Sequence, residues 1–243
     1  MEKIKLKRSR LDRFIAHHQQ IPMRQAQQLI AQSKVTLAGR VVRNRQQSVS
    51  YLDDLKVNGV ALVPIQPCYL MLNKPAGVLS ATEDAEFITV IDLVPEALCS
   101  HKASLHYAGR LDRASTGLML LTNDGRWSSA LSHPQSGCTK RYSVTVENPI
   151  KPEDVAAFAK GFFFEYEQQR TQPAILSVTA ERQADVVIQE GKYHQIKRMF
   201  AQCANRVVSL HRYQIGGILL DSALAEGEAR HLTPTEIQSV FEK

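Results

Sequence analysis

One aspartate stands out by the residues around it. Asp112 lies between two arginines in the stretch GRLDRASTGLMLLTNDG of residues 109–125, where a buried-looking apolar run at 118–121 leads to an Asn-Asp-Gly turn signal. The flanking guanidinium groups favour the charged form of the carboxylate. An ionised carboxylate on a short loop can act as a nucleophile or a general base, so Asp112 is our candidate catalytic residue. The alternative is a surface turn in which Asp112 pairs with Arg113.

The same tetrapeptide, Arg-Leu-Asp-Arg, occurs a second time at residues 10–13 and serves as an internal control. There it lacks the preceding glycine and the Thr-Gly pair that follows. Asp12 instead belongs to a helical pattern in which Leu11, Phe14 and Ile15 share one face. We interpret Asp12 as a solvated helix residue and Asp112 as the residue in a special loop.

The positive charge of the chain is concentrated near its N-terminus. The net charge is +6, and residues 1–50 carry 11 Lys and Arg against 2 Asp and Glu, whereas the remaining residues carry 19 against 22. A basic module ahead of a near-neutral body indicates a nucleic-acid anchor joined to a second domain. A solubilising tail is the alternative, but a tail needs no hydrophobic pattern, and residues 11–42 have one.

Composition excludes several classes of protein. With 243 residues and 44% hydrophobic content, the chain can bury a substantial core. No apolar run approaches the ~18 residues of a membrane span, and the N-terminus lacks the apolar core of a signal peptide. The 4 cysteines form no C-x-x-C pair, so we expect a reduced, cytoplasmic setting and no metal site. Nothing in the sequence calls for more than a monomer.

Short alternating runs, with few long helices between them, predict an α+β fold. In the basic part we expect two helices and a strand–turn–strand hairpin over residues 34–43. Further along, the runs at 69–72, 118–121 and 143–146 predict strands. Prolines at 64 and 67 mark a linker. We therefore predict two domains, at residues 1–65 and 66–243.

The basic part resembles a small RNA-binding module, the "S-four" module named after a ribosomal protein. The similarity rests on RLDRFIA and PMRQAQQLIAQSKVTLAGRVV and covers roughly residues 9–65. In that family, two helices and a hairpin bind structured RNA. The resemblance implies RNA contacts from the matching cations, which are Arg24, Lys34, Arg40, Arg43 and Arg45.

The rest of the chain carries an ordered series of motifs: LNKPAG, AGRLDRASTGLMLLTNDG, KRY, EGKYHQIKRMF and LHRYQIGG. Their order over residues 68–240 closely resembles that of the RsuA-type rRNA pseudouridine synthases. The resemblance implies a mixed, largely antiparallel sheet flanked by helices, and isomerisation of uridine to pseudouridine in ribosomal RNA without a metal or organic cofactor. FAKG, GCTKRY and EGKYHQIKRMF most resemble the branch that modifies small-subunit (16S) rRNA. The expected partner is therefore this RNA, either free or in a pre-ribosomal particle. We expect no membrane and no obligate protein partner.

This resemblance also implies roles for individual residues. Asp112 matches the catalytic aspartate of the family, Tyr142 matches the tyrosine that lies against the target uracil, and Lys197 matches the cation that pairs with the catalytic carboxylate. Without the resemblance, the position of Tyr142 at the start of a strand predicts a half-buried core residue. The position of Lys197 on a helix predicts a surface cation. Further candidate RNA contacts in this domain are Lys74, Arg110 and Lys140.

Three alternatives remain open at this stage. A non-catalytic RNA-binding or assembly factor would need the basic module alone. An RNA N-glycosidase would release free uracil and need a second carboxylate near Asp112. A synthase of the same group could act on large-subunit (23S) rRNA instead.

Overall fold

The computed structural model describes residues 8–19, 21–50, 53–62, 66–99, 101–133 and 136–241. The chain divides between Gln66 and Pro67 into two compact units. The predicted boundary lies one residue earlier, and most of the predicted linker, including the proline at 64, is outside the described residues. Within the described ranges, no helix is long and apolar enough to span a membrane.

The N-terminal unit combines two helices with short antiparallel strands. Helices α1 (Leu11–Gln19) and α2 (Met23–Ala31) pack against each other. Strands β3, β2, β5 and β6 form a sheet in that order, and β1 pairs with β4. The strands are β1 (Arg8–Arg10), β2 (Val35–Leu37), β3 (Arg40–Val41), β4 (Ser48–Ser50), β5 (Leu55–Val57) and β6 (Val60–Ala61).

The apolar faces of both helices form the core of this unit. Leu11, Phe14 and Ile15 of α1 are buried with Ala26 and Ile30 of α2 in one cluster. Their spacing of three and four residues places them on one side of each helix. The helical pattern predicted for residues 11–15 is therefore present.

The interpretation of Asp12 as a solvated residue is wrong. Its carboxylate is fully buried, accepts hydrogen bonds from Arg10 Nη2 at 2.7 Å, Arg10 Nε at 3.1 Å and Arg13 N at 2.9 Å, and accepts one from Gln27 Nε2 at 3.2 Å. Burial raises the pKa of Asp12, but the bonds from Arg10, Gln27 and Arg13 outweigh it and leave the pKa below its usual value. A buried charge is tolerated where it is paired in this way.

The C-terminal unit is built on one large sheet. Its strands run in the order β13-β14-β10-β15-β9-β7-β17, with β8 beside β9 and β16 beside β15. Among the described strands only β15 and β9 pair in parallel, so the predicted mixed, largely antiparallel α+β architecture is confirmed. The strands are β7 (Tyr69–Lys74), β8 (His106–Tyr107), β9 (Thr116–Thr122), β10 (Lys140–Val146), β11 (Phe163–Phe164), β12 (Gln169–Arg170), β13 (Ile175–Ala180), β14 (Gln183–Ile188), β15 (Val207–Ile215), β16 (Ile218–Leu219) and β17 (Ala229–His231).

The central strands are covered on both faces, which explains the unbroken apolar run at residues 118–121. Successive side chains of β9 alternate between two separate clusters: Met119 and Leu121 join one, Leu118 and Leu120 the other. Helices α4 and α5 contribute to the first cluster, and α3 and α6 to the second. The helices are α3 (Gly125–Ser132), α4 (Pro152–Lys160), α5 (Gln195–Gln202) and α6 (Pro234–Ser239).

Candidate active site

Asp112 lies on the loop of residues 108–115 between β8 and β9, and side chains from distant parts of the chain hold that loop. Ser80 Oγ donates to the Leu111 carbonyl at 2.7 Å and accepts from the Leu111 N–H at 3.0 Å. The Ser115 N–H donates to the Asp112 carbonyl at 3.0 Å, which closes a turn around the aspartate. We call residues 108–115 the aspartate loop.

The carboxylate of Asp112 has two partners, both from the start of α5. Lys197 Nζ lies 2.9 Å from Oδ2, and His194 Nε2 lies 3.3 Å from Oδ1. His194 occupies the residue before the helix with a left-handed φ of 48°. The two carboxylate oxygens are therefore each oriented by a separate nitrogen, and a fixed orientation of this kind favours reaction with a bound group.

The flanking arginines do not supply this pairing. Arg113 donates from Nε to the Gly77 carbonyl at 3.0 Å, and its guanidinium lies 4.0 Å above the Phe87 ring. Arg110 is exposed and lines the same cavity as Asp112. The alternative of a surface pair between Asp112 and Arg113 is therefore wrong, because the described ion pairs of Asp112 are with Lys197 and His194.

Tyr142, Arg212 and Gly117 lie in one row across three neighbouring strands. Tyr142 of β10 is opposite Arg212 of β15, and Arg212 is opposite Gly117 of β9. The register of β10 and β15 shifts between Arg141 and Tyr142, an irregularity of the kind that redirects side chains next to active sites. The side chain of Arg212 thus extends from a central strand of the sheet to the aspartate loop.

The guanidinium of Arg212 is fully buried, and within the described part of the chain its acceptors are all uncharged. It donates to the carbonyl of Leu118 at 2.9 Å, and to those of Arg110 and Gly109 at 3.1 and 3.4 Å. It also lies 3.5 Å from the Tyr142 hydroxyl. Because three of its partners are backbone carbonyls that need a donor, Arg212 fixes the first half of the aspartate loop relative to Tyr142.

Lys74 holds the second half of that loop and does not fit the predicted RNA contact. It is fully buried, and its ammonium donates to the carbonyls of Ser115 at 2.7 Å, Pro75 at 2.9 Å and Arg113 at 3.3 Å. Burial lowers the pKa of Lys74 to about 8. A cation enclosed in this way stabilises the aspartate loop through its carbonyl groups. It is not available to bind a phosphate.

A cavity of about 450 Å³ opens beside Asp112. Tyr142 and Lys140 line it, and both are more than nine-tenths buried. Lys140 donates to the Cys138 carbonyl at 3.1 Å, and burial lowers its pKa. Lys140 can therefore meet a bound nucleotide only inside the cavity. Among the described residues, no group of three or more His, Cys, Asp or Glu side chains could hold a metal ion.

The remaining predicted RNA contacts lie in the N-terminal unit, and all are exposed there. Arg43 Nε donates to Ser33 Oγ at 3.0 Å, and the other four residues are exposed as well. The five residues are Arg24, Lys34, Arg40, Arg43 and Arg45.

Sequence reasoning missed three residues of the site: Ser80, His194 and Arg212. His194 and Arg212 lie inside the motifs EGKYHQIKRMF and LHRYQIGG, but no local pattern distinguishes them from surface residues. Ser80 lies outside those motifs altogether. Only their contacts with the aspartate loop reveal them.

A loop-borne carboxylate at the wall of a cavity in a mixed sheet is a candidate active site, and comparison with known proteins gives its class. The family model for RNA pseudouridylate synthase matches residues 68–202. The chain belongs to that family and is therefore an enzyme that converts uridine in RNA to pseudouridine.

Individual relatives match along nearly the whole chain. Ribosomal small subunit pseudouridine synthase A from Escherichia coli K12 is 43% identical over 232 residues, which cover 95% of this chain and 99% of the relative. The protein of that name from Pseudomonas aeruginosa is 44% identical over 95% of this chain and 100% of its own. A crystal structure of a pseudouridylate synthase superposes with a TM-score of 0.70 at 39% identity, covering 95% of this chain and 99% of the other.

Proposed function

We propose that this enzyme isomerises one uridine of small-subunit (16S) ribosomal RNA to pseudouridine. The support is the identity of 39–44% to small-subunit synthases over 95% of the chain. Similarity of that extent covers the N-terminal unit as well as the catalytic one, so it includes the part of the chain that would select the RNA.

The observation that carries the mechanism is Asp112, held at the wall of the cavity by Lys197 and His194. In the reaction, the bond from uracil N1 to ribose C1′ breaks, a bond from C5 to C1′ forms, C5 loses a proton and N1 gains one. Atoms and electrons balance within the nucleotide, so the overall reaction consumes no water and needs no oxidant or reductant. Asp112 reacts as the nucleophile at the ribose or as the base that takes the proton.

Tyr142 and Arg212 form the floor on which the uracil rests. A base inside stacked RNA is out of reach of Asp112, so the nucleotide must rotate out at a cost of a few kcal/mol. A buried tyrosine whose hydroxyl and loop partners are tied to Arg212 offers a rigid face for the base. Rigidity matters because the detached uracil must turn in place before C5 bonds to the ribose.

The contacts of Glu190 argue against an N-glycosidase. Among the described residues lining the cavity, Glu190 is the second carboxylate. It accepts from the Gln172 N–H at 2.8 Å and from Gln195 Nε2 at 2.9 Å, and Lys192 Nζ lies 3.5 Å away. Because its oxygens are already used to join the segments that frame the cavity, Glu190 is poorly placed to activate a water.

For the N-terminal unit we propose the S-four type of RNA anchor, acting in the cytoplasm on rRNA or an assembling particle. Two packed helices, a small antiparallel sheet and five exposed cations on α2 and around β2 and β3 support this role. Phosphate contacts from such a unit would offset the cost of base flipping without adding chemistry.

Replacing Arg43 and Arg45 together with glutamine should lower the salt dependence of RNA binding. Each lost phosphate contact reduces the slope of log K against log salt by about 0.7 to 1. Binding of the rRNA fragment is measured over a range of salt for the full chain. Replacing Arg182 and Lys160, two exposed cations of the C-terminal unit, makes the same charge change as a control. An equal slope of log K against log salt in both double variants would contradict the proposed RNA-anchoring role of the N-terminal unit.

A pseudouridine map of ribosomal RNA from cells with and without the gene tests the substrate. We expect one small-subunit position to lose its pseudouridine and to regain it when the gene is restored. If a large-subunit position lost its pseudouridine instead, the proposed reaction would stand but the proposed substrate would be wrong. An unchanged map would contradict the proposal as a whole.

A further inference from the structure

The mouth of the catalytic cavity carries an aromatic side chain that the reaction as described does not use. Tyr193 lines the cavity, yet its side chain is 65% exposed. Tyr142, the other cavity tyrosine, is 6% exposed. Tyr142 thus lies at the floor of the cavity and Tyr193 at its entrance.

Tyr193 is held ready for a ligand. Its ring stacks on the imidazole of His194, with centroids 3.9 Å apart and planes inclined by 18°. Its carbonyl accepts from Arg198 Nη1 at 3.2 Å, and Arg198 is fixed by two 2.7 Å bonds to Glu167. One face of the ring is therefore covered by His194, while the exposed area includes the other. A ring ordered in advance loses little entropy when a second ring stacks on it.

We propose that Tyr193 is the stacking site for the nucleobase next to the target uridine. When a nucleotide rotates out of an RNA strand, each of its neighbours loses a stacking partner. An aromatic face at the cavity mouth replaces that partner for one neighbour, and such stacking tolerates any base. His194 joins this site to the catalytic carboxylate, because it contacts Tyr193 on one side and Asp112 on the other. The inference rests on the proposed function, since it takes RNA as the ligand of the cavity.

Steady-state kinetics on a short rRNA fragment containing the mapped uridine test this site. Tyr193→Ala should raise KM about ten-fold, the effect of one lost base–aromatic stack, and leave kcat within about two-fold. Tyr193→Phe should behave as the wild type, because stacking needs the ring and not the hydroxyl. Tyr166→Ala is the control: Tyr166 is 94% exposed and lies outside the cavity lining.

A modified substrate identifies the ligand directly. Removing the base on one side of the target should raise KM about ten-fold for the wild type, but should add nothing to the effect of Tyr193→Ala. An unchanged KM for Tyr193→Ala would overturn the proposal, as would a fall in kcat alone or a failure of phenylalanine to restore KM. The turnover of the wild type on small- and large-subunit fragments reports separately on the proposed function. A wild type inactive on both would contradict both inferences.

Discussion

Asp112→Asn should abolish pseudouridine formation while leaving RNA affinity within a few-fold of the wild type. Asparagine has nearly the shape of aspartate but cannot attack the ribose or take a proton, so we expect a loss of about 10⁴-fold or more in the rate of the chemical step. Affinity should change little, because binding rests on the cations and aromatic rings around the cavity. Single-turnover assays on the mapped rRNA fragment, with equilibrium binding measured alongside, separate the two effects.

The control for this prediction is Asp185→Asn. Asp185 lies on β14, is half-buried and is not among the residues lining the cavity, so the same change of charge should leave turnover unaltered. If Asp112→Asn retained turnover near that of Asp185→Asn, the carboxylate would not be the reacting group, and the proposed mechanism would be wrong.

The second large effect is on stability. Gly117→Ala should lower the free energy of unfolding of the C-terminal unit by on the order of 3 kcal/mol, because it forces a side chain into left-handed backbone and into its neighbour. Gly117 has a φ of 101°, and a Cβ at this residue would lie 2.3 Å from the Arg212 carbonyl oxygen. Neither atom can move far, because the carbonyl oxygen belongs to the backbone of β15 and the backbone of β9 fixes the position of the Cβ.

The single tryptophan of the chain gives a local measurement of this effect. Trp127 is buried on α3 in the same cluster as Leu118 and Leu120 of β9, so its fluorescence during urea denaturation follows the unfolding of the C-terminal unit. Gly125→Ala is the matched control, because Gly125 has no positive φ and no atom within 4 Å of an added Cβ. Equal midpoints for both variants would show that the contact between β9 and β15 is looser than the structure describes.

Local sequence patterns predict much of the fold. The helical spacing of Leu11, Phe14 and Ile15 predicts α1, and the apolar run at residues 118–121 predicts β9. A threonine is a preferred residue just before a helix, and Thr233 Oγ1 accepts from the Glu236 N–H at 3.2 Å at the start of α6. These features depend on residues within a few positions of one another. Periodicity and capping report such contacts directly.

The prominence of Asp112 also follows from the sequence, as does its pairing with Lys197 once the order of the motifs is recognised. What local pattern could not show is which cations are enclosed. Lys74 and Arg212 look like ordinary surface residues, yet both are fully buried and donate to carbonyls of the aspartate loop. The environment of Asp12 escapes local pattern for the same reason, since one donor to its buried carboxylate is Gln27 from another helix.

Sequence alone therefore determined the class of enzyme, the candidate catalytic carboxylate and several of the helices and strands. The tertiary structure alone decided how that carboxylate is held. Strand register places Arg212 between Tyr142 and Gly117, and the start of α5 brings His194 to Asp112. The physical reason is that these side chains meet partners about 70 to 95 residues away along the chain, whereas a sequence pattern records only the spacing along one element.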